Sequence, residues 1–223
     1  MQTAILSLIS GPMANAWLLV NPAIPSTITA FIQAVASIVY RFGAISAWQA
    51  AEAYEAKRRE AGIPGTFTVR PADPANEAKV EAGIRWATRD LWKPDPDIPA
   101  VQSLVLGVTE KDILDAGRQT TINAVRSDRK ATGWERDTDG HPCSFCAMLA
   151  TRGPVYRSEQ SADFQAHSNC KCWAEPVFGE YQMPQQVQEW KSLYQQSTRG
   201  AYGMKNMQKA FRHAYEEAYP TPQ

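Results

Sequence analysis

All four cysteines of this chain, Cys143, Cys146, Cys170 and Cys172, fall within one stretch of 30 residues, with His167 among them. The pattern is C-x2-C, then twenty residues, then H-x2-C-x-C. The surrounding sequence offers little to build a core from. Gly133–Arg136 predicts a short strand, Asp137–Gly140 a turn and Cys143–Ala150 two helical turns. Gly153–Tyr156 and Trp173–Phe178 read as extended. Elements this short need a cross-link. Tetrahedral Zn²⁺ takes four thiolate or imidazole ligands, and two knuckles about twenty residues apart match structural zinc spacing. Five groups compete for four positions: Cys143 and Cys146, plus two of His167, Cys170 and Cys172. Two disulfides across the same loop, or four free thiols, are the alternatives. No basic stretch precedes Ala4–Ile9, so no cleaved secretory leader is expected. A reducing cytoplasm then argues against disulfides.

At 223 residues the chain has room for one core plus an appendage. Twenty-three basic residues cancel twenty-three acidic ones, which excludes a global field drawing in nucleic acid or an anionic membrane. From Met1 to Tyr40 there is no charged side chain at all. Ile28, Ile32, Val35 and Ile38–Val39 follow helical spacing behind Ser26, which suits a buried core helix or a surface partly covered by another subunit. Pro25, Gln33 and Arg41 interrupt Ala23–Phe42, so no membrane span is expected.

Ala44–Ala61 is rich in helix formers and ends at Gly62 and Pro64. Asp73 with Pro74 predicts a second helix start, carried through Val80, Ile84, Ala87 and Leu91 to about Trp92. Lys93–Pro99 reads as a stiff connector, and Thr109 with Asp112 as the cap of a third helix reaching about Arg126. The expected fold is mainly α. A helical body covers 1–130, a small α+β Cys/His-stapled module 131–182, and a helical tail 183–223.

In that tail, Lys191, Arg199, Lys205, Lys209, Arg212 and His213 lie between Glu189 and Glu216 with no acid among them, and aromatic residues are interleaved. Such a run can track a nucleic-acid backbone, or it can be the solvated face of two short helices broken at Gly200 and Gly203. Enzyme patterns fare poorly. The P-C-x-x-C at Pro142–Cys146 is half of a zinc deaminase signature, but no histidine precedes His141 to supply the other half. Ser144 beside His141 is no recognised nucleophile–base arrangement, and every cysteine has a near partner. Asp137–Gly140 resembles only a fragment of a calcium loop, and a turn is the simpler reading.

The run Gly133–Phe178 joins G-W-x-R, C-x-F-C-A-M-L-A, R-G-P-V-Y, H-x2-C-x-C and E-P-V-F. Together these resemble the core of MuF-like phage minor head (head-morphogenesis) proteins, especially those of actinobacterial phages. The resemblance is strong over about 46 residues and loose before residue 130, chiefly through Ala47–Gly62. It implies a virion component present in few copies, packaged inside the capsid and associated with the portal protein during assembly, with a role in genome ejection. With no catalytic constellation in the sequence, the expected function is a non-enzymatic minor capsid protein assembled in the host cytoplasm, its partners the portal, the major capsid or scaffold protein and, through Lys191–Arg212, packaged DNA. A capsid maturation protease and a small zinc-dependent nucleic-acid-binding module are the rival functions. Trp134, Phe145, Tyr156 and Trp173 are expected to pack around the Cys/His centre.

Overall fold

The computed structural model describes residues 2–138, 140–154, 164 and 166–220. A 3₁₀ run, Gln2–Ile9, leads into α1 (Ser10–Trp17), and both lie against α2 (Ile28–Glu60). The two helices expected on either side of residue 43 are therefore one. Nothing between Val39 and Ala44 breaks a helix except Gly43, and that glycine serves a contact: a Cβ there would stand 3.1 Å from Pro74 Cβ. Lys57, Arg58 and Arg59 occupy the last turn of α2, favourably placed against its dipole. Gly62, at φ +66°, closes the helix with its N–H on Arg59 O, while Ile63 N–H reaches Arg58 O. This is the glycine-terminated cap that the sequence predicts.

The chain then runs extended along the body, pinned where Val69 N–H meets Glu55 and Ala72 N–H meets Thr120. Two expected helix starts move. The second helix, α3 (Glu77–Ala87), is capped by Asn76 rather than Asp73, its Oδ1 accepting from Lys79 N–H at 2.9 Å. Leu91 and Trp92 fall in a separate 3₁₀ turn. The third helix, α4 (Ile98–Ser127), begins at the Asp97 cap, so Pro99 belongs to its first turn. Thr109 lies mid-helix with its hydroxyl on Val105 O, and Asp112 is buried against Lys79. A Thr/Asp pair three apart resembles a cap in sequence, but here the ion pair and the continuing apolar face carry the helix through it.

The body core lies between α2, α3, α4 and the N-terminal run, around Ile5, Phe31, Val35, Ile84, Val105 and Ile113. A second cluster, with Tyr54, Val69, Ile122, Val125, Trp134 and Ala174, joins α2 and α4 to a two-stranded antiparallel sheet. Strands β1 (Ala131–Asp137) and β2 (Trp173–Phe178) pair Glu135 with Glu175 and Arg136 with Ala174. Helix α5 (Ser144–Ala150) follows β1, and the tail forms α6 (Gln185–Ser197) and α7 (Met204–Ala218). Trp190, Phe211 and Tyr215 pack on Ala147–Ala150 of α5. The tail breaks where expected, at Gly200 and Gly203, which have φ +80° and +81°. The fold is mainly α, with the Cys/His cluster in its small mixed part.

Pro25–Glu60 has the length and apolarity of a membrane-crossing helix, but only by composition; 44% of its most apolar window is buried within the protein.

Candidate metal centre

The first knuckle is built by the start of α5. Cys143 is extended (φ −67°, ψ 161°) at the cap position, and Ala147 N–H closes the first turn onto its carbonyl. One helical turn then carries Cys146 to the same side. Cys143 is exposed and Cys146 buried. The tail holds this knuckle in place, because Tyr215 Oη donates to Pro142 O at 2.8 Å.

The second knuckle is a tight turn with Cys170 N–H on His167 O, made possible by Asn169 in the left-handed region at φ +65°. Asparagine is among the few residues that adopt this conformation readily. The turn sits directly on α4: a Cβ at Gly107 would come 2.5 Å from Asn169 Oδ1. Arg118, buried on α4, reaches into the turn and donates through Nε to Cys172 O (2.9 Å) and through Nη2 to Cys170 O (2.6 Å). Its third nitrogen pairs with Asp115 at 2.8 Å.

The side chains of all five expected residues converge. His167 Nε2 lies 2.9 Å from Cys143 Sγ and 4.0 Å from Cys146 Sγ; Cys146 and Cys170 sulfurs are 3.5 Å apart. The four thiols are free, and 3.5 Å is far beyond a bonded S–S distance of about 2.05 Å. Two sets of three, sharing Cys146, could each hold a metal ion: Cys143, Cys146 and His167, and Cys146, Cys170 and Cys172. His167 Nδ1 is 2.6 Å from Ser168 O, so Nδ1–H donates to that carbonyl and Nε2 faces the thiols. That outer-shell bond is the usual support of a metal-bound imidazole.

Buried Arg136 from β1 adds positive charge, its Nη1 standing 3.6 Å from Cys146 Sγ and 3.9 Å from Cys170 Sγ while its guanidinium lies over the Phe164 ring. The thiols divide their protons unequally. A hydrogen bond from Cys146, with the Cys146 N–H and His167 behind it, holds Cys143 down to about 5. Cys170 is likewise lowered, by hydrogen bonds from Cys146 and Cys172 and by the charge of Arg118. Cys146 is raised by sharing its proton with those neighbours. Cys172, despite a hydrogen bond from Cys146, is held up to about 12 by Cys170 and burial. Burial works against a charged His167, but the Ser168 carbonyl and Cys143 outweigh it and raise its pKa. A divalent cation held by four of these groups would take the place of the protons they share.

The cluster opens onto a cleft of about 440 Å³ whose walls include Leu106, Glu110, His141 and Lys171. Of the aromatics expected around it, Phe145 is in contact, whereas Trp134 lies one layer out, stacked on Phe164 at 5.5 Å. Trp173 bonds Glu175 instead, and Tyr156 lies outside the described residues. The nucleic-acid candidates Lys191, Arg199, Lys205, Lys209 and Arg212 are all exposed on α6, α7 and the turn between them, and none of them lines the cleft beside the cluster. Sequence reasoning gave Arg118, Gly107 and Tyr215 no place at the cluster, and marked Arg136 only as the end of G-W-x-R. No spacing motif ties residues on separate elements to the cluster.

A sequence model of the VG15 protein family matches residues 2–197. The Gene 15 protein of Mycobacterium phage D29 is 33% identical over 104 residues, which cover 41% of this chain and 37% of that protein. The match therefore spans little more than a third of the relative's own length. No solved structure matches the chain. These similarities tie the chain to bacteriophage proteins.

Proposed function

This chain belongs to the VG15 protein family, and from that premise we propose that it is a non-enzymatic structural protein of a phage particle, a MuF-like minor head protein retained inside the capsid. Its partners are the portal protein and the major capsid or scaffold protein. The Cys/His cluster is a structural zinc site: thiolate and imidazole donors are a soft set suited to Zn²⁺ and not to Ca²⁺ or Mg²⁺.

The observation that carries this reading is how the cluster is held. Arg118 of the body grips the second knuckle by two carbonyls, and Tyr215 of the tail grips the first by one. The cluster thus joins three parts of the chain, which is the work of a staple. Zinc bound there by four of Cys143, Cys146, His167, Cys170 and Cys172 would contribute folding energy directly. The exposed Leu8, Leu18, Tyr40 and Trp48 in or near the charge-free segment supply apolar surface for protein neighbours.

Two measurements test the reading. Protein purified under reducing conditions should carry close to one equivalent of zinc, and less than about half would exclude a structural site. Mass spectrometry of purified particles should find the chain at a small fraction of the major capsid protein; absence from particles would overturn the assignment. Co-expression with the major capsid protein addresses the protease alternative. Processing that disappears on Cys143→Ala or Ser144→Ala would replace the structural reading.

A further inference from the structure

In the body, Lys57, Arg58, Lys79, Lys111 and Arg118 each pair with a carboxylate of the same chain, while Arg41, Arg59, Arg70, Arg126, Arg129 and Lys130 are exposed and make no ion pair among the described residues. In the tail, Lys191, Arg199, Lys205, Lys209 and Arg212 are exposed, and among the described residues none of the five makes an ion pair.

Helix α7 arranges three of them. Phe211 and Tyr215 are buried against α5 and α6, which fixes the rotation of the helix. Lys205, Lys209 and Arg212, at i, i+4 and i+7, then form one stripe beside the buried face, about 10 Å long at 1.5 Å per residue. Duplex DNA presents a phosphate every 3.4 Å of axis on each strand, so a stripe of that length faces about three phosphates. The turn through Gly200 and Gly203 delivers Arg199 and Tyr202 to the start of the stripe, and Tyr202 is 85% exposed. A flat ring beside cations suits a sugar or base face.

We propose that this face of α7, with Arg199 and Lys191 beside it, binds the phosphate backbone of double-stranded DNA without regard to sequence. In the tail the five exposed cations outnumber the three exposed acids, Glu189, Glu216 and Glu217; Glu216 closes the stripe one turn beyond Arg212, and the stripe has no buried aromatic or arginine anchor of the kind that holds a protein partner. Phosphate contacts position a chain on DNA but do not read bases. The proposal adds a partner to the virion reading, and its residues lie outside the metal centre. Zinc content and particle location can therefore hold whether or not DNA binds.

The test is a fluorescence-anisotropy titration of the zinc-loaded full chain against a mixed-sequence duplex of about 30 base pairs, from roughly 50 to 300 mM salt. Three to five phosphate contacts predict that log K falls against log salt with a slope of about −2.7 to −4.5. The triple variant Lys205→Gln, Lys209→Gln, Arg212→Gln should lower that slope by about 2.7 in magnitude and weaken binding at least about tenfold at low salt. Lys93→Gln, an exposed change in the body, should leave the slope unaltered. Circular dichroism and zinc content show whether the triple variant is folded. The proposal is overturned by undetectable binding at the lowest salt, or by equal slopes for the parent and triple variant. Tighter binding to polyglutamate than to the duplex also overturns it, in favour of an acidic protein partner.

Discussion

Arg118→Met removes the body's grip on the second knuckle while keeping most of the buried stem. The guanidinium now makes two charged hydrogen bonds to main-chain carbonyls, Cys172 O at 2.9 Å and Cys170 O at 2.6 Å, at a residue only 1% exposed. Each such bond contributes about 1.5–3 kcal/mol, and a buried acceptor left unmade costs a similar amount. Asp115 is not orphaned by the change, because Lys111 at 2.8 Å and Lys79 at 3.2 Å remain on it. The expected loss is therefore about 3–6 kcal/mol, a large share of the roughly 5–15 kcal/mol that stabilises a typical domain. Zinc affinity should fall about 10–100-fold, as it does when outer-shell partners are removed. Urea unfolding of zinc-loaded protein, followed by tryptophan fluorescence, measures the first quantity, and competition with a chromophoric chelator the second. Arg118→Lys, which retains one contact at most, should fall between parent and Met variant even if the latter fails to fold. A stability loss below about 1 kcal/mol with unchanged zinc affinity would refute the anchoring argument.

Gly133→Ala should be destabilising by more than about 2 kcal/mol in thermal unfolding, because the new Cβ lands on the Pro154 carbonyl oxygen, a main-chain atom that cannot swing aside. Glu135 faces Glu175 across the sheet, and burial first, then Asp137 and Glu175, pushes its pKa up. A raised carboxyl favours the fold while protonated and loses that benefit as pH rises through its folded pKa. Glu135→Gln should accordingly stabilise the protein by about 0.5–1 kcal/mol at pH 7, and the gain should vanish below about pH 4 in urea titrations across pH. Chelation of a bound metal at neutral pH should loosen the two knuckles first: near-ultraviolet signal and protease resistance around residues 143–150 and 166–178 fall while the far-ultraviolet helical signal of α2 and α4 persists.

Much of the fold is written locally. The apolar spacing of Ile28, Ile32, Val35 and Val39 placed one side of α2 in the core, and Gly62 stopped it because only a residue at ease with positive φ completes that cap. Errors arose where two local signals competed. Asp73–Pro74 and Asn76 both offer helix starts, and the choice fell to Asn76 because Pro74 is engaged with Gly43 on α2. Thr109 and Asp112 look like a cap only until Lys79, 33 residues earlier, supplies the ion pair that keeps Asp112 buried inside α4.

For the candidate site, sequence alone determined the ligand types and their grouping, since C-x2-C and H-x2-C-x-C each fold within one turn and need no distant partner. It also placed an unbalanced positive charge in the tail. Tertiary structure decided how the two knuckles meet. Arg118, Arg136, Gly107 and Tyr215 come from α4, β1 and α7, 52 residues separating Arg118 from Cys170 and 73 separating Tyr215 from Pro142. A contact between residues so far apart forms only after helices and strands have packed. Its energy depends on their relative position, which no single stretch of the chain encodes.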